Sequence, residues 1–125
     1  MAMMKYLLDS VILIDHFNNI SQASAFIQEN KAVSAISVIT RAEVLTGFSL
    51  AHRPLAAKFL NYFVTLNIET DIADLTAQLR SQYRWKLPDA LQAAVAQHHQ
   101  LILVTRNTKD FPVDKYNFVI TLYQL

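Results

Sequence analysis

Short apolar runs alternate along this chain with longer stretches of helical period. Tyr6-Leu7-Leu8 predicts a buried strand ending at Asp9, and a short helix follows with Ile12, Leu13 and Phe17 inward. Ser21 or Ser24 is placed to cap a second helix running through Glu29. Ala32 to Ala35 predicts a second strand. Ser37 to Leu50 predicts a helix with Val38, Ala42, Leu45 and Phe48 near one face. Pro54 suits the first turn of another helix, carrying Leu55, Phe59 and Phe63, and Val64 to Ile68 reads as a third strand. A helix begins at Asp71 with Ala73, Leu75, Leu79 and Tyr83 on its stripe. The next begins at Pro88-Asp89 and runs through Leu91, Ala94 and Val95 to His98 and His99. Leu101 to Val104 predicts a strong strand, and Phe118 to Thr121 a last one.

Strands joined by helical segments imply parallel pairing with helices on both faces. The expected fold is a three-layer α/β/α sandwich around a central, mostly parallel sheet of four to five strands. No linker, repeat or low-complexity stretch divides the chain, so residues 1–125 read as a single domain. In such sheets ligands bind beyond the carboxyl ends of the strands.

Composition narrows the chemistry. Hydrophobic residues make up 53% of the 125, enough to drive collapse and exclude a disordered protein. Charged residues are only 17%, which leaves apolar area for self-association. There is no cysteine, so disulfides, thiol nucleophiles and thiolate zinc sites are excluded, in keeping with a reducing cytoplasm. Gly47 is the sole glycine, so neither a phosphate-cradling P-loop nor a dinucleotide-binding turn can be built. A net charge of +1 provides no global field for nucleic acid, so any such binding must use a local patch. No apolar run reaches the ~18 residues of a membrane span, and Met1 to Lys5 lacks the pattern of a secretory signal.

Four acidic positions stand out, each with an ordinary structural role beside a chemical one. Asp9 follows the first strand, where it can cap the next helix or face the crevice. Asp89 lies in a helical first turn, where the helix dipole favours it. Glu43 is about 140° around the helix from Val38, at the edge of the apolar stripe, either solvated or leaning into a cleft. Asn107 and Asp110 follow the strand Leu101 to Val104, as turn residues or as oxygen donors. Carboxylates that converge repel one another unless a cation sits between them. With hard oxygen donors and no cysteine, that cation would be Mg²⁺ or Mn²⁺, and metal-assisted phosphodiester hydrolysis is the natural reaction class.

Four segments carry a family resemblance. Leu7-Leu8-Asp9-Ser10-Val11-Ile12-Leu13-Ile14-Asp15 resembles the opening strand and turn of PIN-domain proteins. Ile36-Ser37-Val38-Ile39-Thr40-Arg41-Ala42-Glu43, with Gly47, resembles their second acidic motif, and Leu87-Pro88-Asp89-Ala90-Leu91-Gln92-Ala93-Ala94 their third. Leu103-Val104-Thr105-Arg106-Asn107-Thr108-Lys109-Asp110-Phe111 resembles the fourth. Each motif is weak alone, but the ordered set is specific. The compact single-domain form is similar to VapC-type toxins of toxin–antitoxin pairs. The resemblance implies a Mg²⁺- or Mn²⁺-dependent endoribonuclease acting on single-stranded or structured RNA. Asp9, Glu43 and Asp89 match the acids that hold the metal and the attacking water. Asn107 stands at the fourth, usually acidic position, and Asp110 is the catalytic carboxylate that could substitute three residues on. Ser10 keeps a hydroxyl near the metal or a phosphate, while Val11 stands where the family often has asparagine. The resemblance also implies a cognate antitoxin and a homodimer.

Arg41, Arg106 and Lys109 lie beside these acids, as solvated charge or as ligands for RNA phosphates. Trp85, between Arg84 and Lys86, is placed to stack on a base or to pack a loop or dimer interface. The apolar excess at Phe48, Leu55, Phe59, Leu60, Tyr62 and Phe63 suits a core, a dimer or a groove for a partner helix. The histidines lack the i, i+4 spacing of a zinc helix, and no G-x-S-x-G turn supports Ser10, Ser34 or Ser37 as a nucleophile. The competing readings are a PIN-fold RNA- or partner-binding module with little turnover, and a receiver-like phosphoryl-transfer protein. The second lacks an adjacent acid pair at Asp9 and an aspartate at the end of Val64 to Ile68.

Overall fold

The computed structural model describes residues 3–106 and 118–124. Five parallel strands form one sheet in the order β3-β2-β1-β4-β5, namely Val64–Leu66, Ser34–Ser37, Tyr6–Leu8, Ile102–Thr105 and Val119–Thr121. The helices are α1 (Ser10–Phe17), α2 (Ser21–Asn30), α3 (Val38–Thr46), α4 (Arg53–Leu60), α5 (Thr70–Tyr83) and α6 (Leu87–His98). This is the expected three-layer sandwich, with the sheet wholly parallel.

Side chains that alternate along each strand divide the core into two. Leu7, Ala35 and Leu103 point to the face covered by α5 and α6, where Ile72, Leu79 and the run Ala93 to Ala96 close over them. Leu8, Ile36 and Val104 point to the other face, under Ile12 and Leu13 of α1, Ile27 of α2, Val44 of α3 and Leu60 of α4. The small residues of α6 let that helix lie close to the sheet, which matters for what it carries at its start.

With only one glycine, the chain uses other residues where the backbone turns left-handed. Asn19 (φ 64°) and Gln100 (φ 57°) close α1 and α6. After each, paired bonds return to the last turn: Ile20 N to Asp15 O at 3.0 Å with Asn19 N to His16 O at 3.1 Å, and Leu101 N to Ala96 O at 2.8 Å with Gln100 N to Gln97 O at 3.2 Å. These are Schellman closures.

Several local expectations shift. The second strand starts at Ser34 rather than Ala32, because Lys31–Val33 form a 3-10 turn. Neither Ser21 nor Ser24 caps α2: Ile20 holds that position without a side-chain bond, and Ser24 Oγ pairs with His16 Nδ1 at 2.8 Å. The inward face of α3 is Thr40 and Val44, with Ala42 outside, and that of α4 is Ala56 and Leu60, with Leu55 71% exposed. On α5, Ile72, Thr76 and Leu79 are buried while Ala73 is exposed. The common cause is that threonine and alanine fill inward positions that a count of large apolar residues overlooks. Among the described residues, no helix is long and apolar enough to cross a membrane.

Candidate metal-binding active site

The chain leaves β1 outward to β2 and β3, then returns across to β4 and β5. The crevice created by that reversal lies at the carboxyl ends of β1 and its neighbours. Asp9 stands there. Its N–H bonds Val104 O at 2.9 Å, one residue past the Leu8–Val104 register pair, so the backbone itself fixes its place.

The carboxylate is held from three sides. Oδ1 accepts from Ser10 N at 2.9 Å and from Gln92 Nε2 at 3.3 Å, and Oδ2 accepts from Thr105 Oγ1 at 2.8 Å. Asp9 is therefore both the cap of α1 and a carboxylate oriented by two other elements. Gln92 is 3% exposed and belongs to a buried polar chain. Its Nε2 donates to Thr40 Oγ1 at 2.6 Å, and its Oε1 accepts from Ser37 Oγ at 2.7 Å. Ser37 in turn caps α3, accepting from Thr40 N at 3.1 Å. That hydroxyl is committed to the scaffold, in keeping with the absence of a nucleophilic serine motif.

Glu43 projects from α3 and keeps substantial solvent exposure, which places it at the rim of this arrangement. Partial burial raises its pKa above the ordinary glutamate value, hydrogen bonding to Ser10 pulls it back, and the negative charge of Asp9 pushes it up again. Asp9, Ser10 and Glu43 are thus brought together. Asp89 is half-buried in the first turn of α6. It lies three residues before Gln92 and about 60° from it around the helix. Among the described residues, no three His, Cys, Asp or Glu side chains form a group that could hold a metal ion. Asn107, Lys109 and Asp110 lie outside the described residues.

Two flanking arginines have partners within the chain. Arg41 Nη1 donates to Asn61 Oδ1 at 2.9 Å. Arg106 forms a two-bond ion pair with Asp15, Nε to Oδ2 at 2.6 Å and Nη2 to Oδ1 at 3.1 Å, and Tyr123 OH donates to the same Oδ2. Burial alone would raise the pKa of Asp15, but Arg106 and Tyr123 outweigh it and hold the carboxyl below its usual value. Trp85 is 8% exposed and stacked on Tyr83, with ring centres 4.6 Å apart, so it packs the turn and offers no open face comparable to a base-stacking platform.

Sequence reasoning missed Gln92, Thr40, Thr105, Asp15 and Tyr123. Gln92 did leave a signal, as the one polar side chain within Ala90 to Ala96. Asp15 left another, closing the apolar run Val11 to Ile14.

The PIN domain family profile matches residues 6–115. A toxin–antitoxin complex from Klebsiella pneumoniae contains a chain that is 40% identical with a TM-score of 0.85, the match covering 97% of this chain and 100% of that one. DNA-bound VapBC from Salmonella typhimurium gives 28% identity and a TM-score of 0.74 over 87% and 91% of the two chains. FitAcB from Neisseria gonorrhoeae, at 22% identity, shares the fold, with a TM-score of 0.79 over 96% and 99%. No curated protein matches the chain. The wholly parallel sheet, the aspartate fixed at the exit of its central strand and a profile match spanning nearly the whole sequence lead to one assignment: this chain belongs to the PIN domain family.

Proposed function

We propose that this protein is a Mg²⁺- or Mn²⁺-dependent endoribonuclease and the toxin of a toxin–antitoxin pair. The observation that carries the reading is the fixing of Asp9 by Ser10 N, Gln92 and Thr105, with Glu43 close enough for the two negative charges to repel. The likeness to a chain of a Klebsiella pneumoniae toxin–antitoxin complex supports the biological role.

The donor set fits a hard divalent cation. Mg²⁺ is commonly held by one or two carboxylates, with water and substrate phosphate completing the shell, so a closed cage of protein ligands is not required. Asp9, Glu43 and Asp89 would hold the ion, with Asn107 as a further oxygen ligand and Asp110 as an additional acid. When bound, such an ion activates water and neutralises charge on a phosphodiester. The chain's own part is orientation. Three donors hold Asp9 in one rotamer, and Gln92 ties that rotamer to α3 and α6. Ser10, Arg41 and Lys109 are proposed to meet the RNA phosphates. For Arg106, the ion pair with Asp15 supports a scaffold role at the exit of β4 rather than a phosphate contact. Exposed Leu50, Leu55 and Tyr62, in and beside α4, offer apolar area to an antitoxin or to a second copy of the chain.

The test is cleavage of a mixed single-stranded RNA pool by pure protein in Mg²⁺ or Mn²⁺ and then in EDTA, beside Asp89→Asn. Cleavage that needs metal and disappears in the variant is expected. Folded, antitoxin-free protein that cuts nothing under any metal would overturn the reading in favour of a binding module.

A further inference from the structure

A group of cations at the turn between α5 and α6 has no role in the site described above. From Leu75 to Pro88 the sequence carries Arg80, Arg84 and Lys86 and no aspartate or glutamate. All three are exposed. Ala77, Arg80, Ser81, Arg84 and Trp85 line an open groove of about 500 Å³ there. Among the described residues, the ion pairs join His98 to Asp71 and Arg106 to Asp15, and none of them involves these three cations.

Ordinary helix electrostatics accounts for only one of them. Arg80 is in the last turn of α5, where a cation is favoured, and its Nε donates to Trp85 O at 3.2 Å. Arg84 lies past the helix end in a left-handed conformation, φ 59°. Lys86 is at the N-cap of α6, the positive end of that helix, where a cation is disfavoured. A charge kept at an electrostatic disadvantage, beside two more of the same sign, suits a polyanion from outside. The stack of Tyr83 on buried Trp85 stiffens the turn and fixes the spacing of the cations around it. Position names the polyanion. Lys86, next in sequence to the groove-lining Arg84 and Trp85, is three residues before Asp89 at the start of α6, so the cations cluster at the end of that helix which carries the candidate acid.

We infer that the groove at the α5–α6 turn binds the phosphate backbone of the RNA strand running past Asp89. This rests on the ribonuclease reading for its substrate, and it adds a binding surface away from the acids. Each phosphate contact on a single strand contributes about 0.7 to the slope of log affinity against log salt. Neutralising two cations should therefore flatten the slope by about 1.4.

The test is fluorescence anisotropy of a labelled mixed-sequence 12-nucleotide RNA with the full chain in EDTA, across a salt series. Arg84→Gln/Lys86→Gln is compared with Arg84→Lys/Lys86→Arg and with Lys31→Gln/Lys58→Gln, whose lysines lie on other elements. The first pair should weaken binding about tenfold at low salt and flatten the slope, and the charge-preserving pair should retain both. An equal loss in the Lys31/Lys58 pair, an unchanged slope in the first pair, or no RNA binding by the wild type would overturn the inference. If the RNA is cut in Mg²⁺ yet the first pair binds normally, the groove fails and the nuclease stands. If nothing is cut but the slope flattens as expected, the groove stands without the nuclease.

Discussion

Gln92 reaches from α6 to Asp9, its Nε2 lying 3.3 Å from Asp9 Oδ1 and 2.6 Å from Thr40 Oγ1. The other end of the same amide accepts from Ser37 Oγ at 2.7 Å. One side chain therefore satisfies two buried hydroxyls and orients a carboxylate, and it joins β1, β2, α3 and α6 where the chain would otherwise have four independent ends. Because Thr105 holds the opposite carboxylate oxygen, Asp9 cannot rotate without breaking bonds on both sides.

Replacing Gln92 with leucine should act on rate more than on affinity. The volume is nearly kept, but the hydroxyls of Ser37 and Thr40 lose a partner, which costs about 1–3 kcal/mol of stability. Asp9 loses one orienting donor, and loss of such support typically lowers activity about 10- to 100-fold. The expected result is a fall in kcat with KM for RNA little changed. Equal kcat in the folded variant, or a change confined to KM, would rule out orientation as the role of this residue.

The parts of this site that were legible in the sequence are those set by chain position. Asp9 is placed by the end of an apolar run, Asp89 by Pro88 at a helix start, and the two-faced sheet by the alternation in Tyr6-Leu7-Leu8 and Leu101 to Val104. The partners of Asp9 were not legible, because Gln92 is 83 residues away and Thr105 is 96 residues away. Helical faces were misread wherever a polar or small residue points inward, as at Thr40, Ala56 and Thr76. The pairing of Arg106 with Asp15 was not legible for a related reason: the two are 91 residues apart, and a cation beside a candidate acidic loop suggests phosphate.

The partial burial of Glu43, with the charge of Asp9 beside it, gives a prediction about metal and stability. A carboxyl whose pKa is raised by folding contributes stability below its unfolded pKa, and loses it as pH rises through the folded value. At neutral pH the ionised Glu43 therefore opposes folding. In EDTA at pH 7, Glu43→Gln should melt slightly higher than the wild type. Adding Mg²⁺ should raise the wild-type melting temperature and leave the variant nearly unmoved, since only a folded state that binds the ion is stabilised by it. A variant less stable than the wild type in EDTA would mean that the repulsion is compensated by other contacts.

His16 supplies a second pH dependence. Its ring stacks on Phe59 at 4.8 Å between centres, and Nδ1 pairs with Ser24 Oγ at 2.8 Å. Burial lowers its pKa below the ordinary histidine value. The folded state thus binds this proton less readily than the unfolded state, so stability is complete above about pH 6.5 and falls as pH drops through the folded value. Urea melts at pH 7.5 and pH 5.5 should show a larger loss for the wild type than for His16→Phe, which keeps the stack and removes the proton site. Equal losses would place the titration elsewhere.

The Asp15–Arg106–Tyr123 group makes the strongest stability prediction. Asp15 is buried, while the Arg106 side chain is 33% exposed. Removing one member of a buried pair leaves an uncompensated charge and costs about 3–5 kcal/mol, and the exposure of Arg106 puts Asp15→Ala near the lower end. Tyr123→Phe should cost about 1 kcal/mol, the value of one hydrogen bond to a satisfied partner. The pKa of Asp15 is lowered in the folded state, so its contribution is present above about pH 4 and lost as pH falls through the folded value. The acid-side loss of stability should therefore shrink in Asp15→Asn. A double-mutant cycle with Arg106→Ala isolates the pair: if Arg106 serves the scaffold, the combined loss falls well short of the sum of the single losses. Arg106→Gln should then lower stability while changing RNA affinity little. Additive losses together with a marked drop in RNA affinity would return Arg106 to the substrate, with Asp15 as a separate structural acid.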